Sequence, residues 1–194
     1  MATVVVPFRS GGKSRLPADI RVEVALAMLG DVLGAATAFG PTRLVTADPA
    51  ARLVAAELGV DLVDDPGGGQ GAAVHAALVG VDGPCLVVNA DVPRVRPSDL
   101  AALAIPARGG TVAIVAAADA TTNALGLPYA EVFQSLYGPG SAAQFRAHAL
   151  SLGLHIHDLS LPNLCHDVDT VEDLERIGRR GGSRTRALTV ALPS

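Results

Sequence analysis

Apolar and polar positions fall along this chain in blocks, and the blocks alternate between two periods. Residues 2–7, Ala-Thr-Val-Val-Val-Pro, are a β-branched run without polar alternation, the pattern of a central strand covered on both faces. A loop from Phe8 to Pro17 follows, and then residues 19–39 place Val22, Ala25, Leu26, Leu29, Val32 and Leu33 at helical spacing. A strand near 42–46, a helix near 49–58 and a strand near 60–63 complete a βαβαβ unit, whose right-handed crossovers put helices on both faces of a parallel sheet. After the glycine-rich turn 66–71 the pattern predicts a helix to about Val79 and an apolar strand over 84–89 that ends in Ala90-Asp91-Val92-Pro93.

Beyond it the spacing predicts a helix over 97–103 and a strand over 111–116. Residues 118–140 read as one long polar excursion, a length that a compact domain keeps when the loop covers a ligand. A helix over 141–152, a strand around 154–159 and a short helix over 170–177 close the ordered part, and the arginine- and glycine-rich stretch from Arg179 onward reads as frayed. The expected fold class is α/β: a Rossmann-like three-layer α/β/α unit around a mostly parallel sheet.

Composition narrows the function classes. Although 49% of residues are hydrophobic, no apolar run reaches the roughly 18 uncharged residues of a membrane helix, and no signal segment is visible, so the expectation is a cytoplasmic protein with no membrane partner. A net charge of -4 and 3% aromatic residues lack the basic field and stacking rings of a nucleic-acid surface. Cys85 and Cys165 make neither a metal knuckle nor a disulfide framework and read as free thiols. Of the 15 basic residues all but Lys13 are arginine, which singles that lysine out.

Four segments could carry chemistry. Phe8-Arg-Ser-Gly-Gly-Lys-Ser-Arg-Leu16 joins the first strand to the first helix, where Gly11 and Gly12 let backbone N–H groups approach phosphate oxygens and Lys13 and Arg15 add charge. Pro7 stands where a Walker loop needs glycine, so this is not an ATPase loop. Asp91 lies at a strand's carboxyl end, in the crevice where α/β sheets bind ligands and where a carboxylate suits a hard cation. In His166-Asp167-Val168-Asp169-Thr170, residues two apart in an extended segment share a side, so Asp167 and Asp169 present two carboxylates whose repulsion a cation relieves. Thr170 and Asp173 then have the spacing of a helix cap.

The fourth segment is Tyr137-Gly138-Pro139-Gly140-Ser141, where Ser141 reads as an N-cap and the helix N–H groups beyond it suit a carboxylate or phosphate, with Thr122 and Asn123 facing them. Each of the four segments also reads as an ordinary turn or cap when taken alone. His155, His157 and His166 with a carboxylate offer a zinc alternative, set aside because the strand holding the first two leaves the crevice. The run Gly67-Gly-Gly-Gln-Gly71 lacks dinucleotide-binding spacing and reads as a turn edging a nucleotide base, with Gly71 at its end.

Together these motifs resemble the guanylyltransferases of deazaflavin coenzyme F(420) biosynthesis, which act on 2-phospho-L-lactate or phosphoenolpyruvate within the MobA-like nucleotidyltransferase superfamily. The resemblance runs from Val4 to about Ile177 through Lys13-Ser-Arg-Leu16, Ala27-Met-Leu-Gly-Asp-Val-Leu33, Ala90-Asp-Val-Pro93, Gly138-Pro-Gly-Ser141 with a later His148, and Asp167-Val-Asp-Thr-Val-Glu-Asp-Leu174. It implies a nucleotide-diphospho-sugar transferase type of fold, with one nucleotidyltransferase domain over 1–178 and a flexible tail over 179–194. Asp91, Asp167 and Asp169 correspond to its metal ligands, Thr122, Gly138 and Ser141 to its acceptor-binding positions, and Lys13 and Arg15 to its triphosphate-side loop.

The implied partners are GTP, a small phosphorylated carboxylic acid, magnesium as two ions, and a downstream transferase that takes over a labile product. The N-terminal loop is shorter than the family's usual form, with Arg9 where a lysine is common, and the loop before Asn123 is shorter as well. A molybdopterin- or sugar-phosphate-type nucleotidyltransferase, a metal-dependent glycosyltransferase and a non-catalytic nucleotide sensor stay open as alternatives. So do the identity of the acceptor, which includes 3-phosphoglycerate, and assembly as a homo-oligomer.

Overall fold

The computed structural model describes residues 1–10, 16–178 and 180–191. Seven strands form one sheet: β1 (Thr3–Pro7), β2 (Thr42–Val45), β3 (Asp61–Val63), β4 (Cys85–Val88), β5 (Val112–Ala116), β6 (Thr122–Leu127) and β7 (Ile156–Asp158), in the spatial order β3-β2-β1-β4-β6-β5-β7. Every pairing is parallel except those of β6, which runs antiparallel to both β4 and β5. The expected mostly parallel α/β class is thus the observed one.

Strand alternation divides the core into two layers. Val4, Val6, Leu86 and Val88 face one side, packed by the helices α1 (Ala18–Phe39), α2 (Pro49–Leu58) and α4 (Pro97–Arg108). Val5, Cys85 and Val87 face the other, packed by α3 (Gln70–Leu78) and α5 (Ser141–Ser151). Burial on both faces explains why β1 and β4 lack polar alternation. It also pushes the Cys85 thiol up to about 12, with Glu131 adding to the effect, so this cysteine is inert packing.

Among the described residues α1 is the helix long and apolar enough, by length and composition, to cross a membrane, and half of that stretch is buried inside the protein. Its inward face includes Val24 and Met28, whereas Val22, expected on that face, is 49% exposed.

The structure corrects two readings of the chain. Residues 118–140 are not one loop, because Thr122–Leu127 form the fully buried strand β6 and Ala130–Val132 a short 3-10 turn. Gly126 lets this strand pass under α4, since a Cβ there would lie 2.7 Å from the Leu103 carbonyl oxygen. The expected frayed tail contains a helix, α7 (Ser183–Ala191), which lies against α1 and beside α6 (Val171–Gly178). Its first N–H groups are capped by Asp31 of α1 rather than by a neighbour in sequence, which is why local composition did not reveal it.

Candidate active site

A cleft of about 450 Å³ opens at the carboxyl ends of β1 and β4 and the start of β6. Strand reversal makes this possible: because β6 is antiparallel, its first residues Thr122 and Asn123 lie beside the last residues of β4. Asp91 sits in the turn after β4, and Asp167 and Asp169 sit in the extended stretch before α6. One carboxylate oxygen from each of the three lies within 4.8 Å of the others. The backbone fixes this convergence, since Val168, between the two aspartates, donates its N–H to the Asp91 carbonyl at 3.0 Å and buries its side chain completely.

The end of that stretch is set by a reciprocal cap. Asp173 Oδ2 accepts from Thr170 N–H at 3.1 Å and from Asp169 N–H at 3.2 Å, while Thr170 Oγ1 accepts from Asp173 N–H at 3.2 Å. Burial alone would raise the Asp173 carboxyl, yet the hydrogen bonds from Asp169 and Thr170, with Arg176 beside it, hold it below the usual carboxylate range. The cap thus anchors the backbone of one clustered aspartate.

A chain of side-chain amides crosses the floor. Gln70 Nε2 donates to Asn89 Oδ1 at 2.8 Å, and Asn89 Nδ2 donates to the Thr122 carbonyl at 3.1 Å and lies 3.4 Å from Asn123 Oδ1. Asn123 Nδ2 in turn donates to the Leu164 carbonyl at 2.9 Å and to Asp167 Oδ1 at 3.4 Å. Neither Gln70 nor Asn89 was singled out from the sequence. The available signal was a polar residue closing an otherwise apolar strand, Val-Val-Asn89.

On the opposite wall Thr122 and Ser141, both buried, bring their hydroxyl oxygens to 3.0 Å, and Gly138 also lines the cleft. Ser141 is not the N-cap of α5; Gly140 is, at φ 69° in the left-handed region that favours glycine. The helix N–H groups expected to receive an anion are answered within the chain. Ser141 donates to Gly138 O at 3.0 Å, Ala142 to Ala120 O at 3.3 Å and Ala143 to Gly140 O at 3.1 Å. Hydroxyls therefore replace backbone donors on this wall. Tyr137, packed edge-on against Phe145 with ring centroids 5.4 Å apart, holds the loop in place.

Arg9 lines the cleft near β1, its guanidinium forked onto Asp65 at 2.6 and 2.8 Å. That fork holds the Asp65 carboxyl below the usual carboxylate range. Gly11, Gly12, Lys13 and Arg15 lie outside the described residues. Gly71 does not line the cleft: its Cα faces Ser135, whose side chain a Cβ at 71 would strike, and Gln70 lines the cleft instead. His155, His157 and His166 are exposed, and the three-aspartate cluster is the group found among the described residues with metal-holding geometry. Its all-oxygen donor set fits a hard divalent cation such as magnesium and lacks the nitrogen and sulfur ligands that zinc prefers.

Residues 10–176 match the MobA-like NTP transferase domain. The chain belongs to that family. As a member it is a nucleotidyltransferase, and its relatives include a phosphoenolpyruvate guanylyltransferase of Roseiflexus castenholzii, 37% identical over 86% of this chain and 80% of the relative. Another, from Rubrobacter xylanophilus, bears the same name and is 35% identical over 94% of this chain and 96% of the relative. The fold of this nucleotidyltransferase resembles that of a Desulfovibrio desulfuricans G20 protein described as a nucleotide-diphospho-sugar transferase, with a TM-score of 0.78 at 18% identity, covering 98% of this chain and 95% of that one. A nucleotidyl transferase from Methanothermobacter aligns with a TM-score of 0.70 at 20% identity, over 98% and 99% of the two chains.

Proposed function

We propose that this nucleotidyltransferase joins the guanylyl group of GTP to phosphoenolpyruvate and releases pyrophosphate, the reaction that the names of its relatives describe. The observation that carries this reading is the convergence of Asp91, Asp167 and Asp169 at the floor of a cleft whose opposite wall offers the Thr122 and Ser141 hydroxyls.

An oxygen of the acceptor phosphate attacks the α-phosphorus of GTP; that P–O bond forms while the bond to the pyrophosphate oxygen breaks. A phosphomonoester carries its second negative charge near neutral pH, with a second pKa of about 6, so no general base is needed. What the reaction demands is the approach of two anions. Asp91, Asp167 and Asp169 would hold magnesium, which when bound offsets the charge of both phosphates and of the departing pyrophosphate. Thr122, Gly138 and Ser141 bind the acceptor on the opposite wall. Lys13 and Arg15, with the N–H groups of Gly11 and Gly12, cover the triphosphate. The activated acid is labile, and on this reading it passes in the cytoplasm to a transferase that builds deazaflavin coenzyme F(420).

The test is a pyrophosphate-release assay in which GTP, ATP, CTP and UTP are crossed with phosphoenolpyruvate, 2-phospholactate and 3-phosphoglycerate. GTP with phosphoenolpyruvate is expected to be the fastest pair, and a chelator is expected to stop it. Release that is independent of every acid, or hydrolysis of a nucleotide sugar in its place, sinks the reading.

A further inference from the structure

The segment Ala27-Met-Leu-Gly-Asp-Val-Leu33 carries two residues to which the reaction assigns no role, Gly30 and Asp31. Both face α7. Asp31 Oδ1 accepts from Arg184 N–H at 3.0 Å and Oδ2 from Thr185 N–H at 2.9 Å, so a carboxylate on one helix caps another far away in the chain. The approach is close on both sides: a Cβ at Gly30 would run into the Arg184 side chain, and a Cβ at Gly182 would run into the Asp31 carboxylate. The Arg184 guanidinium reaches on to Glu57 of α2 at 2.7 Å.

This docking leads to the aspartate cluster by two routes. Gly182 N–H donates to the Pro93 carbonyl at 2.8 Å, while Val168 N–H donates to the Asp91 carbonyl at 3.0 Å, so the turn 91–93 is held from both ends. Leu188 of α7 packs on the small core of Leu16, Val24, Met28, Val168, Leu174 and Ile177, and Val168 is the residue between Asp167 and Asp169. The family match ends at residue 176, before α7 begins.

We propose that Asp31 is a positioning residue: by capping α7 it holds the turn 91–93 and the stretch 167–169 at the spacing that binds a divalent cation. The proposal rests on the functional reading given above. Its test measures Mn2+ binding to the full-length, nucleotide-free protein by electron paramagnetic resonance, alongside kcat, KM for GTP and thermal melting. Asp31→Ala is expected to weaken Mn2+ binding about tenfold, within the range seen when residues behind metal ligands are removed, and to lower kcat by a similar factor with the KM for GTP little changed. Asp31→Asn, which keeps one acceptor oxygen, is expected to lie between wild type and Asp31→Ala. Glu57→Gln, which breaks the ion pair but not the cap, is expected to bind Mn2+ like wild type.

Should Asp31→Ala and Asp31→Asn melt at lower temperature yet bind Mn2+ as wild type does, α7 is only a stabilising element and the proposal fails. If Asp169→Asn also binds Mn2+ like wild type, the cluster is not the cation site and the functional reading itself fails, a result separable from the first.

Discussion

The side-chain amide of Asn123 ties two parts of the molecule together, donating to the Leu164 carbonyl at 2.9 Å and to Asp167 Oδ1 at 3.4 Å. Asn123→Ala takes the donor from the buried Leu164 carbonyl and removes one donor to the Asp167 carboxylate. A loss of about 1–3 kcal/mol of stability is expected from the first effect, and a fall in turnover of about 10–100-fold from the second. Denaturant melts and pyrophosphate release check the two separately; unaltered turnover would assign Asn123 to stability alone.

Asp169→Asn keeps the shape of the side chain and removes its charge. It is expected to fold as the wild type does and to lose nearly all GTP-dependent pyrophosphate release, because the cluster then has one fewer anionic ligand. Near-normal release from a folded variant argues against a metal role for the cluster.

Thr122 and Ser141 share a buried hydroxyl contact of 3.0 Å. Thr122→Val and Ser141→Ala are each expected to raise the KM for the acceptor acid while that for GTP stays within about twofold, as befits loss of a binding contact on one side of the cleft. Equal changes in both KM values would place the pair outside the acceptor wall.

Lys13 stands between the glycine pair and Arg15. Lys13→Ala is expected to reduce kcat more than it raises the KM for GTP, since charge builds on pyrophosphate as it departs. A pure KM effect would make it a ground-state contact.

The Arg9–Asp65 fork has a pH signature. The Asp65 side chain is 4% exposed, and its carboxyl is held down first by the hydrogen bond from Arg9. A depressed folded-state pKa contributes stability above the unfolded value of about 4 and loses it as pH falls further. Acid unfolding of Arg9→Met is therefore expected to begin at higher pH than in wild type. Arg9→Lys should restore only part of the difference, because an ammonium cannot fork onto both oxygens. Superimposable acid transitions would show that the pair contributes nothing.

The parts legible in the sequence were those set by neighbours in sequence. Strands β1 and β4 announced themselves as apolar runs, and the Thr170–Asp173 cap lies where its spacing puts it. Asp167 and Asp169 share a side because an extended chain has a period of two. What stayed hidden depends on partners distant in sequence. Strand β6 contains Asn123 and Gly126, both poor strand formers, and becomes a strand because β4 and β5 pair with it and α4 needs the missing side chain. Helix α7 begins in a basic, glycine-rich stretch and is capped by a residue 153 positions away from Arg184. The amide chain through Asn89 exists only because β4 and β6 run antiparallel.

The β5–β6 pairing is irregular at Asn123, and this bulge sets the two side chains apart: Thr122 reaches Ser141 on one side of the sheet while Asn123 reaches Leu164 and Asp167 on the other. Two adjacent codons thus address two separate tasks. Both tasks depend on the β4–β6 register, which pairs Val88 with Ala124. A shift of that register by a single position would exchange the faces of the pair and forfeit both tasks at once.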